Sequence, residues 1–163
     1  MPTQPPSETI DTQEIELDRI RTDTWVVLVP SNWTEVTQEN GSLYFEAPDG
    51  EKGFYITTWN LGEESFKSPS AAIQSYFETS IKSLHDMEGH SWSEVDRYSE
   101  NDAAKAILVV DNLSAEGTYR IVEKYIAREG TLVRAAFHDY YCADYDNSRQ
   151  ASEPIISSLA FAD

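Results

Sequence analysis

The chain has 163 residues, with 29 Asp and Glu against 12 Lys and Arg, and its formal net charge is -17. This excess of acid disfavours nucleic acid and anionic membranes as partners, because like charges would meet within a Debye length of about 10 Å. A cationic protein partner is the class that the charge favours. Solubility or salt adaptation would explain the same composition without any partner, and that alternative stays open.

The acidic residues are unevenly distributed along the chain. Residues 1–102 contain 20 acidic and 6 basic residues, whereas residues 103–141 contain 5 of each. An uneven distribution of this kind argues weakly against salt adaptation, which places acid everywhere. We therefore expect an acidic side of the molecule, built from the first 102 residues.

The composition predicts one folded domain. Hydrophobic residues make up 40% of the chain and include 9 Tyr, 6 Phe and 4 Trp, too much apolar material for a disordered acidic chain. Residues 1–13 contain three prolines, which is typical of a flexible tail, and we expect a single domain over 14–163. A lone cysteine and the lack of a secretory leader or long apolar run favour the cytoplasm, with a removed leader or lipid anchor as the open alternative.

Four strands are predicted before the first helix, from apolar runs and alternation. They cover Glu14–Ile20, Trp25–Val29, Leu43–Ala47 and Gly53–Leu61. The segment Pro48-Asp49-Gly50 predicts a turn between the last two strands, because proline fixes φ and glycine accepts positive φ.

The first helix is predicted from a change in the spacing of the apolar residues. Ser68 is the expected N-cap and Pro69 the first helical residue. Apolar residues then recur at three- and four-residue spacing and form one buried stripe, which consists of Ile73, Phe77, Ile81 and Leu84. Gly89 is suited to a left-handed cap, so the helix should end near residues 87–89.

Four more strands and a closing helix are predicted after it. The strands cover Trp92–Ser99, Ala103–Asn112, Tyr119–Arg128 and Thr131–Tyr141, and the helix lies within Asp144–Leu159. The two-residue link Glu129-Gly130 predicts a tight hairpin. Pro154 is expected to break the closing helix or to confine it to residues after about 152. The predicted fold class is α+β, an antiparallel sheet flanked by two helices in the order β-β-β-β-α-β-β-β-β-α.

Alternation in the predicted hairpin places basic side chains together on one sheet face. The candidate ligand residues on that face are Arg120, Lys124, Arg134 and His138. Such a face could receive an anionic ligand. It could equally be a solvated face whose charges are balanced by carboxylates such as Glu94 and Asp96.

No set of residues identifies a reaction, so no catalytic residue, metal site or cofactor is predicted. Four potential metal ligands fall within six residues, namely His85, Asp86, Glu88 and His90. The two histidines are five residues apart and would not share a helix face, which favours a solvated helix end over a metal site.

Two further sequence patterns argue against a catalytic cysteine and against a calcium-binding loop. His138 and Asp139 would alternate on a strand and could not both activate Cys142, so a buried structural cysteine is expected. The segment that begins Asp144-x-Asp146 lacks the glycine and the glutamate of a calcium loop.

Two short sequence motifs are informative about the family, WVVLVPSNW near the start and EPIISSLAF at the end. Together with the predicted order of elements, they resemble the PsbP-like superfamily, which includes DcrB-type bacterial proteins. In that group an early strand leads into a proline and an aromatic residue, here Pro30 and Trp33. The closing helix of that group contains a motif similar to the one formed here by Ile155, Ile156, Ser158, Leu159 and Phe161.

The resemblance implies an antiparallel sheet flanked by helices and a mostly non-enzymatic group. Its members include photosystem accessory subunits, a Ran-binding nuclear-transport factor and bacterial chaperones of secreted toxins. No thylakoid transit segment is evident, so the toxin-linked role fits this acidic chain better.

Two hypotheses about function follow from the sequence. The first is a bacterial cytosolic chaperone, adaptor or immunity protein that binds a cationic or effector-type partner through an acidic surface. Its candidate partner-binding residues are Trp33, Glu35, Glu39, Trp59, Glu63 and Glu64. The second is a small anionic-ligand-binding protein or enzyme that uses the basic sheet face described above. The oligomeric state is not predicted.

Overall fold

The computed structural model describes residues 16–39, 42–62, 66–116 and 118–163. The strands in these ranges are β1 Leu17–Arg21, β2 Trp25–Pro30, β3 Thr34–Thr37, β4 Leu43–Glu46, β5 Lys52–Asn60, β6 Trp92–Asn101, β7 Lys105–Ser114, β8 Arg120–Arg128, β9 Thr131–Asp139 and β10 Ala160–Phe161. The helices are α1 Pro69–His85 and α2 Tyr145–Ser158. The tail expected over 1–13 and the first two residues of the first predicted strand lie outside the described residues.

The strands form two antiparallel sheets. The larger has seven strands in the order β3-β4-β5-β9-β8-β7-β6, and the smaller has the order β1-β2-β10. The predicted α+β class and the alternation of strands with two helices are confirmed. β3 and β10 are additional strands of four and two residues, too short to show a clear alternation in the sequence.

Helix α1 begins where its cap predicts. The Ser68 side chain accepts a hydrogen bond from the Ala71 backbone N–H at 3.1 Å, and Pro69 occupies the first turn. The apolar stripe is buried at Ile73, Phe77 and Leu84. The helix ends slightly earlier than expected, with Asp86 rather than Gly89 at its C-terminal cap.

Helix α2 is continuous, so the expected break or late start at Pro154 is wrong. Its N-cap is Asp144, whose side chain accepts a hydrogen bond from the Asn147 backbone N–H at 3.0 Å. Pro154 is exposed, whereas the neighbouring Ile155 and Ile156 are buried in the core. Burial of these two side chains offsets the hydrogen bond that proline cannot donate.

The two helices cover opposite faces of the seven-stranded sheet. On one face, α2 and the small sheet share a core with Val122, Ile126 and Phe137. On the other, α1 packs on Leu108 and Tyr125. No helix in the described part of the chain is long and apolar enough to cross a membrane.

Candidate functional site

The β8–β9 hairpin divides the predicted basic face between two sides of the sheet. The link Glu129-Gly130 forms a tight turn, with Gly130 at a φ of 81° and Arg128 opposite Thr131. Because the loop holds two residues, an even-numbered residue of β8 lies opposite an odd-numbered residue of β9. Arg120 and Lys124 therefore face α2, whereas Arg134 and His138 face α1. The prediction that these four side chains share one face is wrong.

A groove of about 560 Å³ lies on the α2 side, between that helix and strands β6, β7 and β8. Its apolar part is formed by Ile107, Val109, Val122 and Ile156. At one end an ion pair of 3.1 Å joins Arg149 of α2 to Asp96 of β6. Glu100 and Glu153 also border the groove, and beside Glu100 the Tyr98 side chain is 53% exposed and donates a hydrogen bond to it.

Arg120 lies beneath the groove and is already fully engaged. Its Nε and Nη2 donate to the two carboxylate oxygens of Asp111 at 2.9 and 2.8 Å. Its Nη1 donates to Ser148 and Ser152 of α2 at 2.9 and 3.2 Å. Only 1% of Arg120 is exposed. This bidentate pair therefore fixes the helix on the sheet and is not available to a ligand.

Lys124 is also a structural cation. Its Nζ donates to the backbone carbonyls of Ile156 and Leu159 at 3.0 and 2.9 Å, and the residue is 7% exposed. These carbonyls lie at the C-terminal end of α2, where the helix dipole favours a positive charge. Burial lowers the pKa of Lys124, while the nearby carboxylates Glu100 and Glu153 act to raise it.

Arg134 lies on the opposite face and pairs with buried Glu123. Its Nε donates to Glu123 at 2.7 Å, and its Nη2 contacts the same carboxylate and the Ser80 hydroxyl of α1. Glu123 also accepts hydrogen bonds from Ser80 at 2.6 Å and from the Tyr125 hydroxyl at 3.3 Å. One side of the Arg134 guanidinium therefore supplies hydrogen bonds and charge to the buried Glu123 carboxylate.

His138 lies in a cluster of aromatic rings and is not a cation at neutral pH. Its Nδ1 is 2.7 Å from the Tyr119 hydroxyl, and its ring centroid is 5.2 Å from Tyr55 and 5.6 Å from Tyr140. Burial, with a smaller effect of the Arg134 charge, lowers the pKa of His138 to about 3. A neutral imidazole cannot supply charge to an anionic ligand.

Four of the candidate partner-binding residues lie in the described part of the chain. Trp33 is half-buried, with its ring 6.4 Å from Phe137, so it packs on the core. Glu35 and Glu39 are exposed on and after β3. Trp59 lies on β5, on the α1 side, with its ring 4.8 Å from Tyr76. Glu63 and Glu64 fall outside the described residues.

Other side chains singled out in the sequence have structural roles. The Nδ1 of His90 is 2.9 Å from the Ser114 hydroxyl, and Cys142 is buried, which raises the pKa of its thiol. Asp139 lies on the α2 side of β9, opposite to His138. Among the described residues, no three metal-ligating side chains cluster.

The groove beside β6 was not predicted, although the sequence contains a signal for it. Every residue from Ser93 to Asn101 is exposed, and the segment SEVDRYSEN shows no alternation of apolar and polar residues. A strand without alternation and without an apolar run has neither face buried, which is typical of an edge.

Comparison with known proteins identifies the fold. No protein-family model and no curated protein matches the sequence. The solved structure of cyanobacterial PsbP (CyanoP) from Synechocystis sp. PCC 6803 is similar, with a TM-score of 0.66, 9% identity, and coverage of 90% of this chain and 92% of that one. The Saccharomyces cerevisiae Ran-binding protein Mog1p is similar with a TM-score of 0.55, 10% identity, and coverage of 92% and 97%. The chain therefore has the PsbP-like fold that the resemblance predicts.

Proposed function

We propose that this protein is a non-enzymatic binding module that receives a basic, extended segment of a partner protein along β6 and its groove. The observation that carries the proposal is the exposed edge strand. β6 is last in the sheet order, and nine consecutive residues, Ser93–Asn101, are exposed. Apart from the Arg97 N–H, which donates to the Asp96 carboxylate at 2.9 Å, the outward backbone groups of such an edge can pair with another extended chain.

Charge specifies the class of partner. β6 carries three carboxylates, Glu94, Asp96 and Glu100, against the single cation Arg97, and across the groove α2 contributes Glu153 and Arg149, the second of which is paired with Asp96. A second copy of this chain would bring the same carboxylates together, so self-pairing is disfavoured. A segment with basic side chains would instead be attracted to this edge.

Apolar contacts on the same strand would strengthen the complex. Tyr98 and Val95 are large side chains that β6 leaves exposed, and the apolar part of the groove adjoins Tyr98. Exposed aromatic side chains at the centre of a contact often supply much of its binding energy. A basic segment with alternating apolar side chains would satisfy both features.

The comparison with Mog1p supports a protein-binding role, because that protein has the same fold and is described as Ran-binding. A chaperone, an adaptor or an immunity protein for a basic partner would each use a surface of this kind. All three roles agree with the large negative charge of the chain.

The proposal can be tested with a short fluorescent peptide in which lysine and valine alternate. We expect saturable binding that weakens as salt rises, measured by fluorescence anisotropy. The double variant Glu100→Gln/Glu153→Gln should weaken binding about fivefold. The matched control Glu35→Gln/Glu39→Gln removes the same charge from the β3 end of the sheet and should leave binding nearly unchanged.

Two results would overturn the proposal. Equal weakening by both double variants would mean that the peptide responds only to net charge. Equal binding of a peptide in which every backbone N–H is methylated would exclude pairing with the β6 edge, because full methylation removes the hydrogen-bond donors from both edges of the peptide.

A further inference from the structure

A second cleft lies on the opposite face of the large sheet and is separate from the β6 groove. It has a volume of about 610 Å³ and lies between α1 and strands β5 and β9. Its lining consists of aromatic, hydroxyl and guanidinium groups, contributed by Trp59, Phe66, Ser75, Tyr76, Thr79, Ser80, Ser83 and Arg134. A volume in this range is typical of a small-molecule site.

The aromatic side chains form one wall of the cleft. Trp59 and Tyr76 lie with ring centroids 4.8 Å apart, and Phe66 extends the wall at 6.4 Å from Tyr76. All three side chains are half-buried. All three border the cleft, where a flat apolar group could pack against them.

Hydroxyl groups of α1 also line the cleft. Ser75, Thr79 and Ser83 recur every fourth residue and therefore form one row, beside which Ser80 lies with its hydroxyl already donated to Glu123. Serine and threonine stabilise a helix less than glutamate or lysine, which would otherwise suit an exposed position. A row of such residues offers hydrogen bonds to a ligand at a cost in helix stability.

Arg134 supplies the charge. Its side chain is 25% exposed, and Glu123 holds its Nε and Nη2 from the buried side. Its Nη2 also contacts the Ser80 hydroxyl, at 3.4 Å. The guanidinium is therefore held rigidly, and its exposed part borders the cleft, where a carboxylate could approach it.

The charge around this cleft differs from that of the molecule as a whole. None of the described residues that line it is a carboxylate, although the chain contains 29 acidic residues. An anion that enters the cleft would meet neutral hydroxyls and the guanidinium, whose charge Glu123 balances from the buried side.

We propose that this cleft binds a small aromatic carboxylate. The ring would stack on Trp59 and Tyr76, and the carboxylate would accept hydrogen bonds from Arg134 and from the α1 hydroxyls. This site does not depend on the β6 groove, because the two lie on opposite faces of the sheet.

The test uses the ¹⁵N-labelled full chain and two probes, indole-3-acetate and its neutral amide. The indole N–H signal of Trp59, assigned with Trp59→Phe, should shift saturably with the acid at a Kd of about 0.1 to 1 mM. The amide keeps the ring and loses the charge, so it should bind about tenfold more weakly.

Matched variants on α1 then locate the site without disturbing the buried Arg134–Glu123 pair. Thr79→Glu adds a carboxylate to the cleft wall and should weaken binding of the acid about fivefold or more. Gln74→Glu adds the same charge to the same helix outside the cleft and should have little effect. Equal binding of acid and amide, equal effects of the two variants, or no saturable shift at Trp59 would overturn the proposal.

Discussion

At the scale of single residues, His138 makes the stability of the protein depend on pH. Burial lowers its pKa to about 3 in the folded state, against 6.5 in the unfolded chain. Between these values the unfolded state binds more protons, so the histidine stabilises the fold fully above pH 6.5 and this contribution is lost as the pH falls towards 3.

The variant His138→Phe removes this dependence. On going from pH 7 to pH 5, the free energy of unfolding of the variant should fall by about 2 kcal/mol less than that of the parent chain, as measured in urea. An NMR titration of the His138 ring in the parent provides the control, since the ring should stay neutral at pH 5. A ring that titrates near pH 6.5 would contradict the prediction.

Residue types alone do not show whether a cation is solvated or buried. Arg120 and Lys124 alternate with apolar residues on their strand and so resemble a solvent-facing row. Their partners Asp111 and the Ile156 carbonyl are separated from them in sequence by 9 and 32 residues. Only the fold brings these groups together, and no pattern within the strand indicates them.

At the scale of elements, the Arg120–Asp111 pair holds α2 against the sheet. The variant Asp111→Ala would leave a buried guanidinium without its carboxylate, so we expect a loss of about 3 to 5 kcal/mol in the free energy of unfolding. Asp96→Ala is the matched control, because Asp96 also joins its strand to α2, through the half-exposed Arg149. That variant should cost less than about 1 kcal/mol.

A rescue variant distinguishes the effect of the lost ion pair on stability from the effect of a change in side-chain shape. Replacing both partners, as Asp111→Leu with Arg120→Met, leaves no buried charge and should recover much of the stability lost in Asp111→Ala. Equal losses for Asp111→Ala and Asp96→Ala would show that the buried pair does not anchor the helix.

Local signals predicted the ends and turns of elements better than their pairing. The Ser68-Pro69 start of α1 and the Glu129-Gly130 hairpin depend on neighbouring residues, and both are confirmed. The sheet face of Arg134 depends on the register of the hairpin, which the predicted two-residue link fixes and which alternation within each strand does not show. The continuity of α2 through Pro154 depends on burial of Ile155 against distant strands.

The two proposed sites differ in how far the sequence could indicate them. The absence of alternation in β6 and the row Ser75, Thr79 and Ser83 on α1 are both visible in the sequence. The cleft itself also needs Trp59 and Arg134, which come from strands that become neighbours only in the sheet.

At the scale of the whole molecule, the net charge of -17 should oppose folding through repulsion among carboxylates. Screening shortens from about 30 Å at 0.01 M salt to about 8 Å at 0.15 M. We therefore expect the free energy of unfolding in urea to rise with sodium chloride over this range, by on the order of 1 kcal/mol.

The salt dependence of the free energy of unfolding, measured on the double variant Glu35→Gln/Glu39→Gln, tests whether repulsion among carboxylates is the cause. Both side chains are exposed near the end of the sheet, so their removal lowers the repulsion without disturbing the core. The double variant should be more stable than the parent at 0.01 M salt, and the difference should shrink at 0.15 M. A parent chain that loses stability as salt rises would instead mean that attractive ion pairs such as Arg97–Glu94 outweigh the repulsion. The acidic residues would then stabilise the fold. Their number would in that case be weaker evidence for a binding partner.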